Sequence, residues 1–259
     1  MIRNLRELYR YRALLWNLTQ RELKARYRGS ILGFMWTFLN PTLQMVVYWV
    51  FFSVLTKQAI PNFPYFMFIG LLPWICFSSS LLSGTSSISD RRDLLTKVRF
   101  PAQVLPATVI ASNLANYILS LPLMVGLGLV LGVAPTWHAV FFPLILAVQL
   151  LLTLALVYFF SALNVTFRDL QHILGNVVTL WFFLTPIGYS VTQVPESYRE
   201  GLLLGNPFAA IVSSYQAIFY RHESPDPKPL LIVAAGALCL LWISSMIFEG
   251  RREEFAELA

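Results

Sequence analysis

Charge is what this chain has least of. Only 12% of its 259 residues are Asp, Glu, Lys or Arg, whereas a soluble domain carries about 25%. With 57% hydrophobic residues it has no polar coat for folding in water, and its natural solvent is lipid. Cysteine is nearly absent. Cys76 and Cys239 both lie inside apolar runs, form no CxxC pair and have no metal-ligand spacing, so they read as packing residues. No GxxxxGK[ST] phosphate loop, HExxH or GxSxG pattern occurs, which excludes ATP hydrolysis by this chain alone and the common hydrolase chemistries. His138, His172 and His222 are scattered over separate loops or ends, so no metal site and no catalytic residue is expected. No cleavable signal peptide is expected, because the first apolar run, of about 25 residues, is longer than a signal h-region.

What the chain does have is long apolar runs. Six spans are predicted near 31–55, 64–83, 104–133, 139–165, 172–190 and 230–248, together forming one transmembrane domain over 31–248. The fold class is therefore an all-α integral membrane protein. Pro41, Pro73, Pro106, Pro122 and Pro186 fall inside these spans, where neighbouring helices can satisfy the backbone groups they release. No Asp or Glu falls within a span, which argues against a proton- or sodium-coupled carrier. With the N-terminus cytoplasmic, 15 Lys and Arg lie on the inner side and 4 on the outer side, so both termini are expected inside.

Three segments depart from this pattern. Residues 1–30 hold eight of the 19 basic residues. Over 13–28, Trp16, Leu23 and Tyr27 share one helical face, flanked by Arg21, Lys24, Arg26 and Arg28. That arrangement predicts an amphipathic helix lying in the membrane interface. Residues 201–221 are apolar and nearly long enough to span, but Gly205-Asn206-Pro207 breaks them into pieces too short to cross. A pair of re-entrant helices fits better than a seventh span. Between the second and third spans lies a charged island, with six charged residues from Asp90 to Arg99. Ser87 and Asp90 have capping-box spacing and Pro101 ends the segment, which predicts a short helix over 87–100. Leu94, Leu95 and Val98 form an apolar knob on it, ringed by Asp90, Arg91, Arg92, Asp93 and Lys97. Such a knob has the character of a docking surface. Residues 249–259 form a short cytoplasmic tail.

Arg26-Tyr-Arg-Gly-Ser-Ile-Leu-Gly-Phe-Met-Trp36, followed by Leu39-Asn40-Pro41 and Val50-Phe51-Phe52-Ser53, resembles the N-terminal signature of ABC-2-type polysaccharide and polyol-phosphate export permeases. These are the membrane subunits that export O-antigen, capsule or teichoic acid. Further matches follow in order: Thr166-Phe167-Arg168-Asp169-Leu170, Phe183-Leu184-Thr185-Pro186-Ile187-Gly188-Tyr189-Ser190, Asn206-Pro207 with Tyr220-Arg221, and the tail from Arg251 to Ala256.

The resemblance implies a homodimer in the cytoplasmic (inner) membrane, bound to two copies of an ABC ATPase subunit. That partner binds ATP and Mg²⁺, and this chain carries no cofactor. The expected substrate is a lipid-linked polysaccharide, membrane lipids are expected contacts, and no nucleic acid is expected. The island becomes a coupling helix seated in the ATPase. Gly205, Asn206, Pro207 and Tyr215 become part of an outer gate. Trp36, Tyr48 and Trp181 are expected to line a conduit, stacking on sugar faces, although aromatics also serve interface belts and helix packing. Trp16 and the basic set Arg21, Lys24, Arg26 and Arg28 suit either a lipid-linked pyrophosphate or anionic lipid. Arg168 and Asp169 suit a structural ion pair or a partner contact. The alternatives are an ABC-2 exporter of a small lipophilic compound or lipid, and a membrane scaffold with no transport role.

Overall fold

The computed structural model describes the backbone of residues 2–55, 60–91 and 100–250. Arg92, Asp93, Leu94, Leu95, Lys97, Val98 and the tail motif from Arg251 lie outside the described residues. Among those described, every regular element is helical. Two helices, α1 (Ile2–Arg10) and α2 (Arg12–Tyr27), precede the apolar part. Gly29 ends this region at φ +79°, a left-handed conformation that a side chain would strain. A short turn then leads into α3 (Trp36–Leu55). Pro41 sits inside α3 and cannot donate to the Thr37 carbonyl. The Ser120 hydroxyl, shared with the Asn116 carbonyl at 2.8 Å, reaches that carbonyl at 3.3 Å, so a neighbouring helix supplies a partial partner.

Helix α4 (Phe63–Ser86) is the centre of the bundle. Its residues from Tyr65 to Trp74 are all buried, as expected for a helix apolar on every face. Around it stand α3, α5 (Val104–Val130), α6 (Phe142–Asn164) and α7 (Leu170–Leu184). The last long helix, α10 (Pro227–Gly250), packs along α6. Here Ser244 on α10 donates to the Ala155 carbonyl at 3.1 Å. Close approach of α4 and α6 depends on Gly84, where an added Cβ would lie 2.5 Å from a Val157 methyl.

Five of the described helices are long and apolar enough to cross a membrane. The fifth predicted span, 172–190, is not one of them. Helix α7 has 15 residues and rises about 22 Å, short of an apolar core of about 30 Å. It stops because Pro186 forces the preceding residue out of helical geometry, and Thr185 is extended at φ −98° and ψ 135°.

Helices α8 (Glu196–Gly205) and α9 (Pro207–Gln216) follow, and a π-helical turn, Ala217–Arg221, extends α9. The chain bends by 108° between them, at Asn206. The near end of α9 touches the last carbonyl of α7, and Phe208 stacks on Phe77 at 4.5 Å, past the middle of α4. The far end returns to the start of α4, where Tyr65 and Tyr220 donate to the carbonyls of Phe219 and Pro61. On the other limb, Glu200 pairs with Lys228 at the first turn of α10. The bend therefore points into the bundle, and both limbs open towards the same end.

Candidate functional site

Three places hold the chemistry-bearing residues. The first is a cavity of about 360 Å³ between α2, α3, α4 and α5. Arg26 and Tyr27, the last residues of α2, reach it together. Arg26 donates to Asn113 Oδ1 at 3.1 Å, and the Tyr27 hydroxyl donates to Asn116 Oδ1 at 3.3 Å. Thr37 in turn donates to the Tyr27 hydroxyl at 2.7 Å. Asn113, Asn116 and Ser120 recur at helical spacing, which puts all three on one face of α5. Trp36 lines the same cavity, and its ring N–H donates to Ser30 at 3.0 Å. Arg21, Lys24, Arg26 and Arg28 are all exposed, and of this basic set only Arg26 lines the cavity. Trp16 faces outward, 61% exposed.

The second place is the described edge of the charged island. Asp90 is exposed, while Arg91 forms an ion pair with Glu22 of α2. Nearby, Gln103 donates to Glu7 of α1 at 2.9 Å. The island is thus fastened to α1 and α2 from both flanks. The capping box expected at Ser87 does not form. Ser87 closes α4 instead, its hydroxyl donating back to the Gly84 carbonyl at 2.7 Å, because four helical residues before it leave carbonyls without partners. Neither Glu7 nor Glu22 stood out in the sequence. Each is one acidic residue in a basic segment, and only proximity in space gives it a partner.

The third place is the tip of the α8–α9 bend. Asn206 caps α9, its Oδ1 accepting from the backbone N–H groups of Phe208 and Ala209 at 3.1 and 3.2 Å. The same oxygen accepts the Trp181 ring N–H at 2.8 Å. Its amide N donates to the Leu184 carbonyl at 3.1 Å and to Thr185 Oγ1 at 3.3 Å. Trp181 packs edge-on against Phe77 and Trp74. Tyr48 stacks on Phe182, one residue further along α7. Gly205 is exposed and Pro207 half-buried beside the cap. Tyr215 lies away from the tip, buried, with its hydroxyl on Gln149 Oε1 at 2.9 Å; Gln149 in turn donates to the Pro73 carbonyl at 3.2 Å. Of the four gate residues, the structure therefore gathers three at the bend and places the fourth in the core. Arg168 and Asp169 are exposed just before α7.

Such a bundle, with five spanning helices, a polar cavity under basic helices and a broken helix pair dipping inward, is a polytopic membrane protein. Its sequence places it further. The chain belongs to the ABC-2 type transporter family, whose model matches residues 13–220. It is 61% identical over 258 residues, 99% of either chain, to the O-antigen export system permease protein RfbA of Myxococcus xanthus. It is 29% identical over 246 residues to the protein of that name from Klebsiella pneumoniae, covering 95% of this chain and 94% of that one. The polysialic acid transport protein KpsM of Escherichia coli is 25% identical over 240 residues, 90% of this chain and 91% of its own. The chain is a transport permease rather than an enzyme, and it is embedded in a membrane.

Proposed function

We propose that this chain forms the membrane-spanning half of an ABC exporter for a lipid-linked polysaccharide of the O-antigen type. The observation that carries this reading is the 61% identity, end to end, with an O-antigen export permease. Two copies pair in the cytoplasmic membrane with both termini inside, in keeping with the 15 to 4 imbalance of basic residues. Two ATPase subunits dock beneath and hold the ATP and Mg²⁺. The island is their docking point. It joins α4 directly to α5, so a push on it moves the central helix of the bundle. Arg91 passes the same push to α2 through Glu22. ATP shifts the permease only through contacts that differ between its two states, and the island is where such contacts fall.

At the opposite end, the α8–α9 bend forms the outer gate, and Asn206 ties it to α7. Trp36 lines the cavity and Trp181 is bonded to Asn206 at the bend, with Tyr48 packed on the neighbouring Phe182; in this reading the three rings offer apolar faces to sugars.

Deleting the gene and following the polymer tests this reading. Loss of surface polysaccharide, with the lipid-linked form accumulating inside, is the expected result. Normal surface polymer in the deletion strain refutes it. Purifying the chain from native membranes should also bring down a near-stoichiometric subunit carrying a phosphate-binding loop.

A further inference from the structure

The cavity between α2, α3, α4 and α5 contains donors with nothing to donate to. Asn113 is 3% exposed, yet its Nδ2 has no partner, and Asn116 Nδ2 beside it is likewise unpartnered. Arg26 can only donate, so the Asn113 amide oxygen turns towards it and its NH₂ group is left free. A buried unpartnered donor costs about 1–3 kcal/mol, and two on one helix face next to a guanidinium are a costly arrangement for packing alone. Arg26 keeps further N–H groups beyond the one given to Asn113. No carboxylate lines the cavity to neutralise it. All three groups ask for the same ligand chemistry: an anion rich in acceptor oxygens.

Position narrows the choice. Asn113 lies nine residues into α5, about 14 Å along the helix, while Arg26, Asn40 and Gln44 are exposed, so the cavity runs from the bundle surface inward. Leu72, Ile75 and Pro41 supply an apolar wall opposite the donors. A volume of about 360 Å³ is in the range of a small-ligand site, enough for a phosphate group and its first linking atoms but not for a polymer. We propose that this cavity binds the phosphate ester of a lipid, with Arg26, Asn113 and Asn116 gripping the phosphoryl oxygens and the lipid tail leaving along the apolar wall. Two lipids present that chemistry here: a membrane glycerophospholipid and a polyprenyl diphosphate. The site stands whether or not the chain exports a polymer.

The test uses the full chain in mild detergent with three probes: phosphatidylglycerol, a polyprenyl diphosphate, and a diacylglycerol with the same acyl chains as the first. Binding is read by native mass spectrometry and by the thermal midpoint. At least one phosphate lipid should bind about tenfold more tightly than diacylglycerol, and the tighter of the two identifies the physiological source. Arg26→Gln and the near-isosteric Asn113→Asp should each reduce that preference about tenfold. Asn116→Asp serves as a second amide-to-carboxylate probe should Asn113→Asp fail to fold. Equal binding of all three lipids by the wild-type chain would mean a water-filled cavity and would overturn the proposal. So would carboxylate variants that hold the phosphate lipid as tightly as wild type. Export of polymer and recovery of an ATPase subunit are separate readouts, so failure here leaves the exporter reading untouched.

Discussion

Asn206 makes five hydrogen bonds with one side-chain amide. Two cap α9, one holds the Trp181 indole and two hold the end of α7. No other residue type does all of this. Aspartate supplies the acceptor but not the donor, and serine reaches too short a distance. Asn206→Ala therefore loses a helix cap worth about 1 kcal/mol and also strands the indole N–H, at about 1–3 kcal/mol more. Unfolding free energy in detergent should fall by about 2–4 kcal/mol. Trp181→Phe removes the donor without stranding the cap, and should cost about half as much. If the two substitutions cost the same, the indole bond rather than the cap dominates. The Asn206-Pro207 break was legible in the sequence, because proline limits itself and its neighbour whatever the surroundings. The Trp181 bond was not. It joins residues 25 positions apart, and no local pattern pairs them. For the same reason the expectation that Trp181 and Tyr48 line a conduit and that Tyr215 belongs to a gate held no sign of their contacts, Tyr48 with Phe182 and the Tyr215 hydroxyl with Gln149.

Helices meet here by two devices, small residues and buried amides. Gly84 lets α4 approach α6 until a single methyl group would collide with Val157. Gly84→Ala should destabilise the chain by about 1–3 kcal/mol, and Val157→Ala in the same chain should recover most of that loss, because it removes the methyl in the way. A double variant no better than Gly84→Ala alone would place the strain elsewhere. Gln149 bridges three helices, donating to Pro73 on α4 while accepting from Tyr215 on α9. Gln149→Leu removes the acceptor of the Tyr215 hydroxyl, leaving it only the Tyr117 hydroxyl, and should cost about 1–3 kcal/mol, whereas Gln149→Leu with Tyr215→Phe should cost clearly less. Spans rich in leucine and phenylalanine were plain from hydropathy, since composition alone decides solvent. Where a span stops is a finer matter. The run over 172–190 holds no Asp, Glu, Lys or Arg, and only Pro186 marks the point at which α7 gives way to extended chain.

At the scale of the whole molecule, the charged island connects two bodies that the sequence had treated separately: the basic N-terminal helices and the central bundle. Arg91 and Glu22 are partly exposed, so the pair contributes little to stability, about 0–1 kcal/mol. Its place in the chain is what matters. On the docking proposed above, a motor pushing on the island would move α4 and α5 through the peptide chain itself, but α2 only through side chains. Since α2 delivers Arg26 and Tyr27 to a cavity whose other walls are α3, α4 and α5, loosening that link should weaken the coupling of the island to the basic side of the cavity while leaving the bundle intact. Arg91→Glu should therefore reduce polymer export severalfold, with insertion, abundance and thermal midpoint near those of wild type. Adding Glu22→Arg restores an opposite-charge pair and should restore export. The double substitution Asp90→Lys with Asp93→Lys acts one step earlier, on the proposed docking face. It should abolish export and weaken recovery of the ATPase subunit, and Glu22→Arg should not rescue it. Export assays on these variants, with the ATPase subunit quantified alongside, distinguish the two steps. Should Arg91→Glu export at the wild-type rate, α2 moves independently of the island, and the motor must reach the cavity through α4 and α5 alone.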